Sequence, residues 1–453
     1  MNTSTWRCYL DDECRDDALR IAWSIANQLR DPARLSEVVA LAHEQSPMAD
    51  ATEWLATSLG GGLGLVLLFG HLDRCFPQEG WYRDAHRHLE AAARRLETFS
   101  SPPLGLFEGM SGVGFSAAYL ARDTGRYGRL LESLDEGVSR RARDLAREML
   151  ARRGGFHIAD FDLVSGLTGA VVHLLGRRGN PRTAEALREA LAALVSISSC
   201  HDGVPAWHTP AALVRDDVSS LKSEHTGGYV DCGLAHGCPG PLTAMSMACA
   251  AGVDVPGLRD GISRLAHWLL RHRHDDAWGL NWPSAIPLTL DADGAPLPLE
   301  PSLTLGGIPA RTGWCYGAPG VARALWEAGN ALSDPQFRDV AVEAMRATLR
   351  RPASERRLDS PTVCHGVAGY LQCMLRFAHA TQLPEFIAEA RELTAQLLAM
   401  REPAAPLGYR AVEMHGVRVD QPGLIDGASG VMGALLSAAM PVEPAWDRAL
   451  LLS

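Results

Sequence analysis

Residues 317–326 read GAPGVARALW and residues 366–375 read GVAGYLQCML, two copies of the pattern that decides the fold. In each copy two glycines, separated by two residues, precede a mostly apolar stretch. Seven copies of this pattern begin at Gly61, Gly109, Gly166, Gly237, Gly317, Gly366 and Gly427. Successive copies lie 48, 57, 71, 80, 49 and 61 residues apart. Each interval is long enough for two helices and their loops, so the repeat predicts a series of helical hairpins.

The stretches after the glycines differ in character from the stretches between repeats. After each glycine pair the sequence is apolar on nearly every side and rich in Ala, Gly and Ser, as in helices buried all round. Residues 81–98, 131–152 and 334–350 instead mix arginines and acids with Leu, Ala and Val, which is typical of amphipathic helices with one solvated face. The sequence therefore predicts an all-α fold of inner and outer helices. Seven hairpins can form either an open solenoid or a closed α/α toroid.

No domain boundary interrupts the repeats, so we expect residues 1–453 to form a single domain. The repeats would run from about residue 50 to 440, with helices also in residues 1–50. Strand signals are scarce, although the irregular residues 203–229 and 291–308 could hold short strands.

Composition excludes several classes of function. The 453 residues are 47% hydrophobic, enough for a large core, and 53 acidic against 43 basic residues give a net charge of -10. This charge argues against nucleic-acid binding. The longest apolar run, residues 63–69, is too short to cross a membrane, and the N-terminus lacks the pattern of a secretory signal. We therefore expect a cytoplasmic protein whose ten cysteines are thiols or ligands rather than disulfides.

The residues just before each glycine pair occupy equivalent places in the repeat and can be compared directly. The residue one before the first glycine is Glu108, Ser165, His236, Tyr316, His365 and Asp426 in units two to seven. Two residues before the glycine stand Cys315 in the fifth unit and Cys364 in the sixth. Together with His365 they have the composition of a catalytic zinc site, in which three protein ligands leave a fourth position open. The alternative is that these cysteines are small buried hydrophobic residues.

Other residues near these positions have more than one interpretation. His236 is either a structural histidine or a proton-transfer group. Cys232 and Cys238 flank it and form a rival metal cluster, but they lie in one unit only. Asp162 and Arg311 each stand close before a glycine pair and could equally be surface charges. Glu108 and Asp426 are explained by the favourable placing of acids at a helix N-terminus, and no further role is assigned to them.

Four motifs together resemble a known family. They are D-x-x-x-G-x-x-G at Asp162, A-H-G-x-P-G at His236, R-x-x-W-C-Y-G-x-P-G at residues 311–320, and C-H-G at Cys364. This set is similar to that of the lanthionine synthetase C family, the lanthipeptide cyclases. The resemblance covers nearly the whole chain and implies a double α/α toroid of seven outer and seven inner helices.

The resemblance also implies a site and a reaction. One zinc ion per chain would be bound by Cys315, Cys364 and His365, with His236 as acid/base residue and Asp162 and Arg311 as supporting catalytic residues. The reaction would add cysteine thiols of a dehydrated precursor peptide to dehydroalanine or dehydrobutyrine, closing lanthionine or methyllanthionine rings. The chain resembles the stand-alone class I type of this family, which works on a leader-bearing peptide beside a separate dehydratase and an exporter. Association with a membrane through such a complex is compatible with a cytoplasmic location.

Two other interpretations remain open from the sequence. A non-catalytic member of the family could bind a thiol such as glutathione, or act as a scaffold, and would keep the zinc ligands. The combination of His236, Asp162 and Arg311 favours the enzyme over this alternative. A terpene or prenyl-transferring toroid is a third candidate, but the sequence shows no D-D-x-x-D cluster at the tip of an inner helix.

Overall fold

Helices form most of the protein in this computed structural model, and short strands lie in the loops between them. The structure describes residues 6–47, 54–122, 124–214, 226–299 and 310–453. In chain order the helices are α1 (Asp12–Arg30), α2 (Pro32–Gln45), α3 (Gly62–Cys75), α4 (Trp81–Glu97), α5 (Met110–Ala121), α6 (Gly128–Leu150), α7 (Ile158–Phe161), α8 (Leu167–Gly176), α9 (Pro181–Ile197), α10 (Pro239–Ala250), α11 (Leu258–Arg271), α12 (Ala318–Leu332), α13 (Pro335–Arg350), α14 (Ala353–Arg356), α15 (Val367–Thr381), α16 (Pro384–Ala399) and α17 (Ala428–Ala439). Short 3-10 helices in these described ranges lie at Ala211–Leu213, Met414–Gly416 and Ala445–Leu450.

Each of the seven glycine motifs lies at the start of a helix that is buried along almost its whole length. These helices are α3, α5, α8, α10, α12, α15 and α17. The intervening helices α4, α6, α9, α11, α13 and α16 bury one face and leave the other in solvent. The predicted alternation of inner and outer helices is therefore present in the structure.

Helix starts follow from the local sequence. Asp11, Asp31, Asn180 and Asp334 cap α1, α2, α9 and α13, each by accepting a hydrogen bond from a backbone N–H of the first turn. In α2, α9 and α13 a proline follows the cap directly, where its missing N–H costs nothing. Six of the inner helices begin directly after a glycine and α10 begins after Cys238, all without such side-chain caps. Their starts depend on tertiary packing instead.

Gly320, the second glycine of the fifth motif, shows why a side chain is excluded there. A Cβ at this position would lie 2.4 Å from the carbonyl oxygen of Trp314 and 2.9 Å from the Cβ of Leu234. The start of α12 is therefore pressed against its own leading loop and against the loop that leads into α10. This close approach explains why the motif tolerates a residue of poor helix propensity.

The helices and loops fall into two compact units. The first contains Met1–Pro102, Phe107–Leu131 and Arg357–Ser453. Within it, α3 packs on α4, α5 and α17, α15 packs on α16 and α17, and α1 packs on α17. The second unit contains Pro103–Leu106 and Glu132–Arg356. Within it, α8–α9, α10–α11 and α12–α13 form helical hairpins, and α10 packs on both α8 and α12.

Among the residues that the structure describes, eight short strands form four antiparallel pairs. They are β1 (Cys200–His201), β2 (Val204–Pro205), β3 (Tyr229–Asp231), β4 (His274–Asp276), β5 (Gly279–Asn281), β6 (Ala285–Pro287), β7 (Ala411–Val412) and β8 (Arg418–Val419). The pairs are β1 with β2, β3 with β6, β4 with β5, and β7 with β8. Of the residues expected to hold short strands, 203–229 contain β2 and the first residue of β3, whereas 215–225 and 300–308 lie outside the described residues. The pair β3–β6 matters most, because β3 leads directly into the loop that carries His236.

Over the part of the chain that the structure describes, we find no helix with both the length and the apolar character that a membrane span requires.

Candidate active site

The predicted site residues all lie in loops that lead into inner helices. Asp162 and His236 precede α8 and α10, Arg311 and Cys315 precede α12, and Cys364 and His365 precede α15. His236, Cys315, Cys364 and His365 stand at the equivalent positions one or two residues before a glycine pair, whereas Asp162 and Arg311 stand further from theirs.

His236 and Asp162 form a hydrogen-bonded pair within the second unit. The distance from His236 Nδ1 to Asp162 Oδ2 is 2.7 Å. The other carboxylate oxygen accepts hydrogen bonds from the backbone N–H groups of Ser165, at 2.7 Å, and Gly166, at 2.9 Å. Asp162 is only 2% exposed, whereas the His236 side chain is 32% exposed. A carboxylate only accepts hydrogen bonds, so the pair holds the proton on Nδ1 and leaves Nε2 available for proton transfer.

Asp231 and Tyr316 form a second pair in the same unit. The hydroxyl of Tyr316 donates to Asp231 Oδ2 at 2.9 Å, and the backbone N–H of Gly233 donates to Asp231 Oδ1 at 2.8 Å. Burial raises the pKa of Asp231 to about 6, against the opposing influence of His236. Burial and the neighbouring Asp231 also raise the pKa of Tyr316 well above its ordinary value. The rings of His236 and Tyr316 are 6.5 Å apart between centroids.

Neither residue has a role in the predictions made from the sequence. Tyr316 is one of the side chains that directly precede a glycine pair, and Asp231 lies outside those positions. The signal that could have found Asp231 is its place five residues before His236, at the end of a short apolar strand. A carboxylate in an apolar stretch requires a partner, but the sequence does not say which one.

The loop that carries Cys315 lies directly against the loop that carries His236. The backbone N–H of Leu234 donates to the carbonyl oxygen of Cys315 at 2.8 Å. A Cβ on Gly233 would lie 2.5 Å from Cδ1 of Tyr316 and 2.6 Å from that same carbonyl oxygen. Gly233 is therefore required by close packing, and the two loops share one backbone contact surface.

Cys315, Cys364 and His365 form a group that could hold a metal ion. Their ligand atoms all lie within 4.8 Å of one another, and within the described residues this is the one such group of three His, Cys, Asp or Glu side chains. Three such protein ligands would leave the fourth position of a tetrahedral zinc open. Two sulfurs and one imidazole suit zinc and not the hard cations Mg²⁺ and Ca²⁺, which take oxygen ligands.

The rival cluster of Cys232, His236 and Cys238 lacks this arrangement. Burial raises the pKa of both thiols well above the ordinary value. The Cys232 thiol instead points to the carbonyl oxygen of Val230 at 3.7 Å. Both cysteines are fully buried and behave as packing residues.

The remaining candidates differ in exposure. Arg311 is half-buried and lies four residues before Cys315, in the same loop. Glu108 and Asp426 are exposed and stand two residues before α5 and α17, where an acidic side chain favours the helix start. Their places agree with the interpretation given from the sequence.

Comparison with known proteins gives matches of three kinds: to a family model, to a curated protein and to a solved structure. Residues 53–451 match the family model described as lanthionine synthetase C-like protein. The nisin biosynthesis protein NisC of Lactococcus lactis subsp. lactis is 22% identical over 337 residues, which are 73% of this chain and 75% of that protein. A solved structure of nisin cyclase superposes with a TM-score of 0.71 at 19% identity and covers 92% of this chain and 97% of that chain.

The structural match concerns the fold. Together with the predominance of helix, it confirms the prediction of an all-α double toroid.

Proposed function

The chain belongs to the lanthionine synthetase C-like family, as the motifs predicted, and from this premise we propose that it is a zinc-dependent lanthipeptide cyclase. It would add cysteine thiols of a dehydrated precursor peptide to dehydroalanine or dehydrobutyrine in the same peptide, forming lanthionine and methyllanthionine rings. Cys315, Cys364 and His365 would hold one zinc ion per chain.

One observation carries the proposal: a candidate metal ligand and a candidate proton-transfer residue lie on loops that are hydrogen-bonded to each other. The tie is the bond from Leu234 N–H to the carbonyl oxygen of Cys315, two residues from His236. A protein that only binds a thiol needs the metal group but has no use for an oriented imidazole on a loop bonded to that of Cys315. The His236–Asp162 pair therefore favours the enzyme over a thiol-binding or scaffold protein.

Zinc, when bound by these residues, supplies a Lewis acid that favours the thiolate form of a substrate cysteine at neutral pH. The addition forms a C–S bond at the β-carbon, moves the electron pair of the double bond to the α-carbon and its carbonyl, and requires one proton at the α-carbon. The substrate thiol loses one proton, so the reaction as a whole consumes none.

His236 is the residue that would move this proton. Asp162 holds Nδ1–H, so Nε2 faces away from the carboxylate and can carry a proton to the α-carbon. Partial exposure of the His236 side chain allows a peptide to reach it. Arg311 lies in the loop of Cys315, and its cation would stabilise the negative charge that develops on the carbonyl oxygen.

The substrate chemistry determines the partners. Dehydroalanine and dehydrobutyrine arise by loss of water from Ser and Thr, so dehydration of the precursor must come first, and we expect a separate dehydratase to carry it out. We expect a leader-bearing precursor, and an exporter that acts after ring closure. A cytoplasmic location, with association with a membrane through such a complex, stays a prediction.

The test is ring closure by the purified protein. The zinc-loaded protein is incubated with a dehydrated peptide that contains dehydroalanine or dehydrobutyrine and free cysteines, and free thiols are counted by alkylation and mass spectrometry, because cyclisation itself leaves the mass unchanged. Alkylated thiols should disappear with the wild type and persist with a His236→Ala variant that retains its zinc. If the wild type leaves every thiol free but binds glutathione, the thiol-binding alternative is correct and the cyclase proposal fails.

A further inference from the structure

Asp231 is a buried carboxylate with no role in the reaction proposed above. It ends β3, where it pairs with Ala285 of β6, and it is 6% exposed. Its two oxygens accept from Gly233 N–H and from the Tyr316 hydroxyl, at 2.8 and 2.9 Å. A buried carboxylate is costly unless it is hydrogen-bonded, and the Tyr316 hydroxyl is the side-chain donor that meets this need at Oδ2.

The phenol of Tyr316 is held at both ends. Its ring lies against the backbone of Gly233, where no side chain fits, and its hydroxyl is held by Asp231. Tyr316 directly follows Cys315, whose carbonyl oxygen accepts from Leu234 N–H. Three contacts thus join residues 231–234 to residues 315–316, and Asp231 provides the one that involves two side chains.

The two carboxylates of this region act on different rings. Asp162 orients the imidazole of His236, and Asp231 holds the phenol of Tyr316, with the two rings 6.5 Å apart. Because Asp231 stands five residues before His236 and Tyr316 directly follows Cys315, the Asp231–Tyr316 bond helps to set where the Cys315 segment lies relative to His236.

We propose that Asp231 is a positioning residue for ring closure, which acts through Tyr316 to fix the Cys315 loop at a set distance from His236. The inference rests on the proposed function. A displacement of about 1 Å at a reacting centre can reduce a rate by up to about 100-fold, so loss of one such contact has a measurable effect on turnover.

A double-mutant cycle tests the proposal in the zinc-loaded protein. We expect Asp231→Ala to lower kcat about 10-fold while KM changes less than about 2-fold, because the contact orders the site and does not bind peptide. In a Tyr316→Phe background the same change should lower kcat by less than about 2-fold further, because the hydroxyl through which Asp231 acts is already absent. Equal losses in both backgrounds would overturn the proposal, as would an unchanged kcat in Asp231→Ala.

Asp276 provides the matched control. This carboxylate lies in β4 of the same unit and accepts hydrogen bonds from Trp278 N–H, Asn281 and Arg351. Asp276→Ala removes a comparable network from a neighbouring hairpin and should leave kcat within about 2-fold of the wild type. A 10-fold fall in this variant too would show general loosening and refute a specific role for Asp231.

Amide hydrogen exchange provides a readout that does not depend on activity. Peptides covering residues 229–236 and 312–317 should both exchange faster in Asp231→Ala, and the Asp276→Ala protein should match the wild type there. Where the alanine variant does not fold, Asp231→Asn, which has the same size, carries both measurements. A wild type that closes no rings refutes the proposed function, whereas exchange that is unchanged in the Asp231 variants refutes the positioning role in either case.

Discussion

Asp162 performs two tasks with two different oxygens, and substitution can separate them. Oδ1 accepts from the backbone N–H groups of Ser165 and Gly166 at the start of α8, and Oδ2 accepts from Nδ1–H of His236. Asp162→Asn keeps one carbonyl oxygen for the backbone donors but turns an NH₂ group toward the imidazole. Asp162→Ala removes both acceptors. We predict that the two variants differ in stability and agree in loss of activity.

The magnitudes follow from these contacts. An unsatisfied buried donor costs about 1–3 kcal/mol, so loss of the acceptor for two backbone N–H groups should lower the free energy of unfolding by about 2–4 kcal/mol in Asp162→Ala. Asp162→Asn should lose less than about 1 kcal/mol. In that variant the amide favours the tautomer with the proton on Nε2, which removes the lone pair needed for proton transfer. We expect kcat to fall by about 100-fold or more in both variants.

Urea unfolding of the two proteins measures the first effect, and the thiol-alkylation assay measures the second at saturating peptide. Zinc content, determined in parallel, should stay near one per chain, since Asp162 is not a ligand. Equal stabilities for the Asn and Ala variants would refute the capping argument. A kcat within about 3-fold of the wild type in Asp162→Asn would show that His236 does not need its carboxylate, and the proton-transfer assignment would fall.

Three further predictions concern the metal, pH and the glycines. Cys364→Ala should reduce bound zinc, measured by elemental analysis, from about one to about zero per chain. Cys373→Ala, which changes a buried cysteine of α15, should retain the zinc. Zinc retained by Cys364→Ala would place the site elsewhere. Burial lowers the pKa of His71 to about 3, from the ordinary 6.5. The folded protein keeps His71 neutral, so the contribution of His71 to the free energy of unfolding falls by about 1.4 kcal/mol per pH unit as pH drops from 6.5 toward 3. His71→Leu should flatten that slope in urea unfolding between pH 7 and 5. Gly320→Ala should cost about 1–3 kcal/mol, whereas Gly176→Ala, with open space around its Cβ, should gain up to about 1 kcal/mol; equal effects would contradict the close-packing explanation.

The helical architecture was predictable because its signal is repeated and local. Each inner helix is apolar all round and begins at a glycine pair, and each outer helix has one charged face, so the type and order of the elements could be inferred without contacts. In outer helices such as α9 and α13, an Asx–Pro pair in the sequence marks the N-cap and the first helical residue. The short strands were only partly anticipated, because segments of two or three residues carry almost no periodicity.

The candidate site was predictable to the extent that the repeat makes positions equivalent. Cys315, Cys364 and His365 share the place before a glycine pair, and the structure brings their ligand atoms within 4.8 Å. The roles assigned to His236, Asp162 and Arg311 stay predictions, although the bond between His236 and Asp162 is the contact such roles require. Asp231 was missed because it stands outside the repeat position, and its partner is 85 residues away in the sequence.

The sequence by itself determined the type of each helix, the positions where glycine is needed and the kinds of side chain that stand before the inner helices. These properties depend on neighbouring residues and on periodicity, both of which can be read from the amino-acid sequence. Only the tertiary structure decided which of those side chains meet. The partner of a buried carboxylate is chosen by the packing of distant loops, and Asp162 and Asp231, both placed close before a glycine pair, take different rings because the backbone around each one faces a different neighbour.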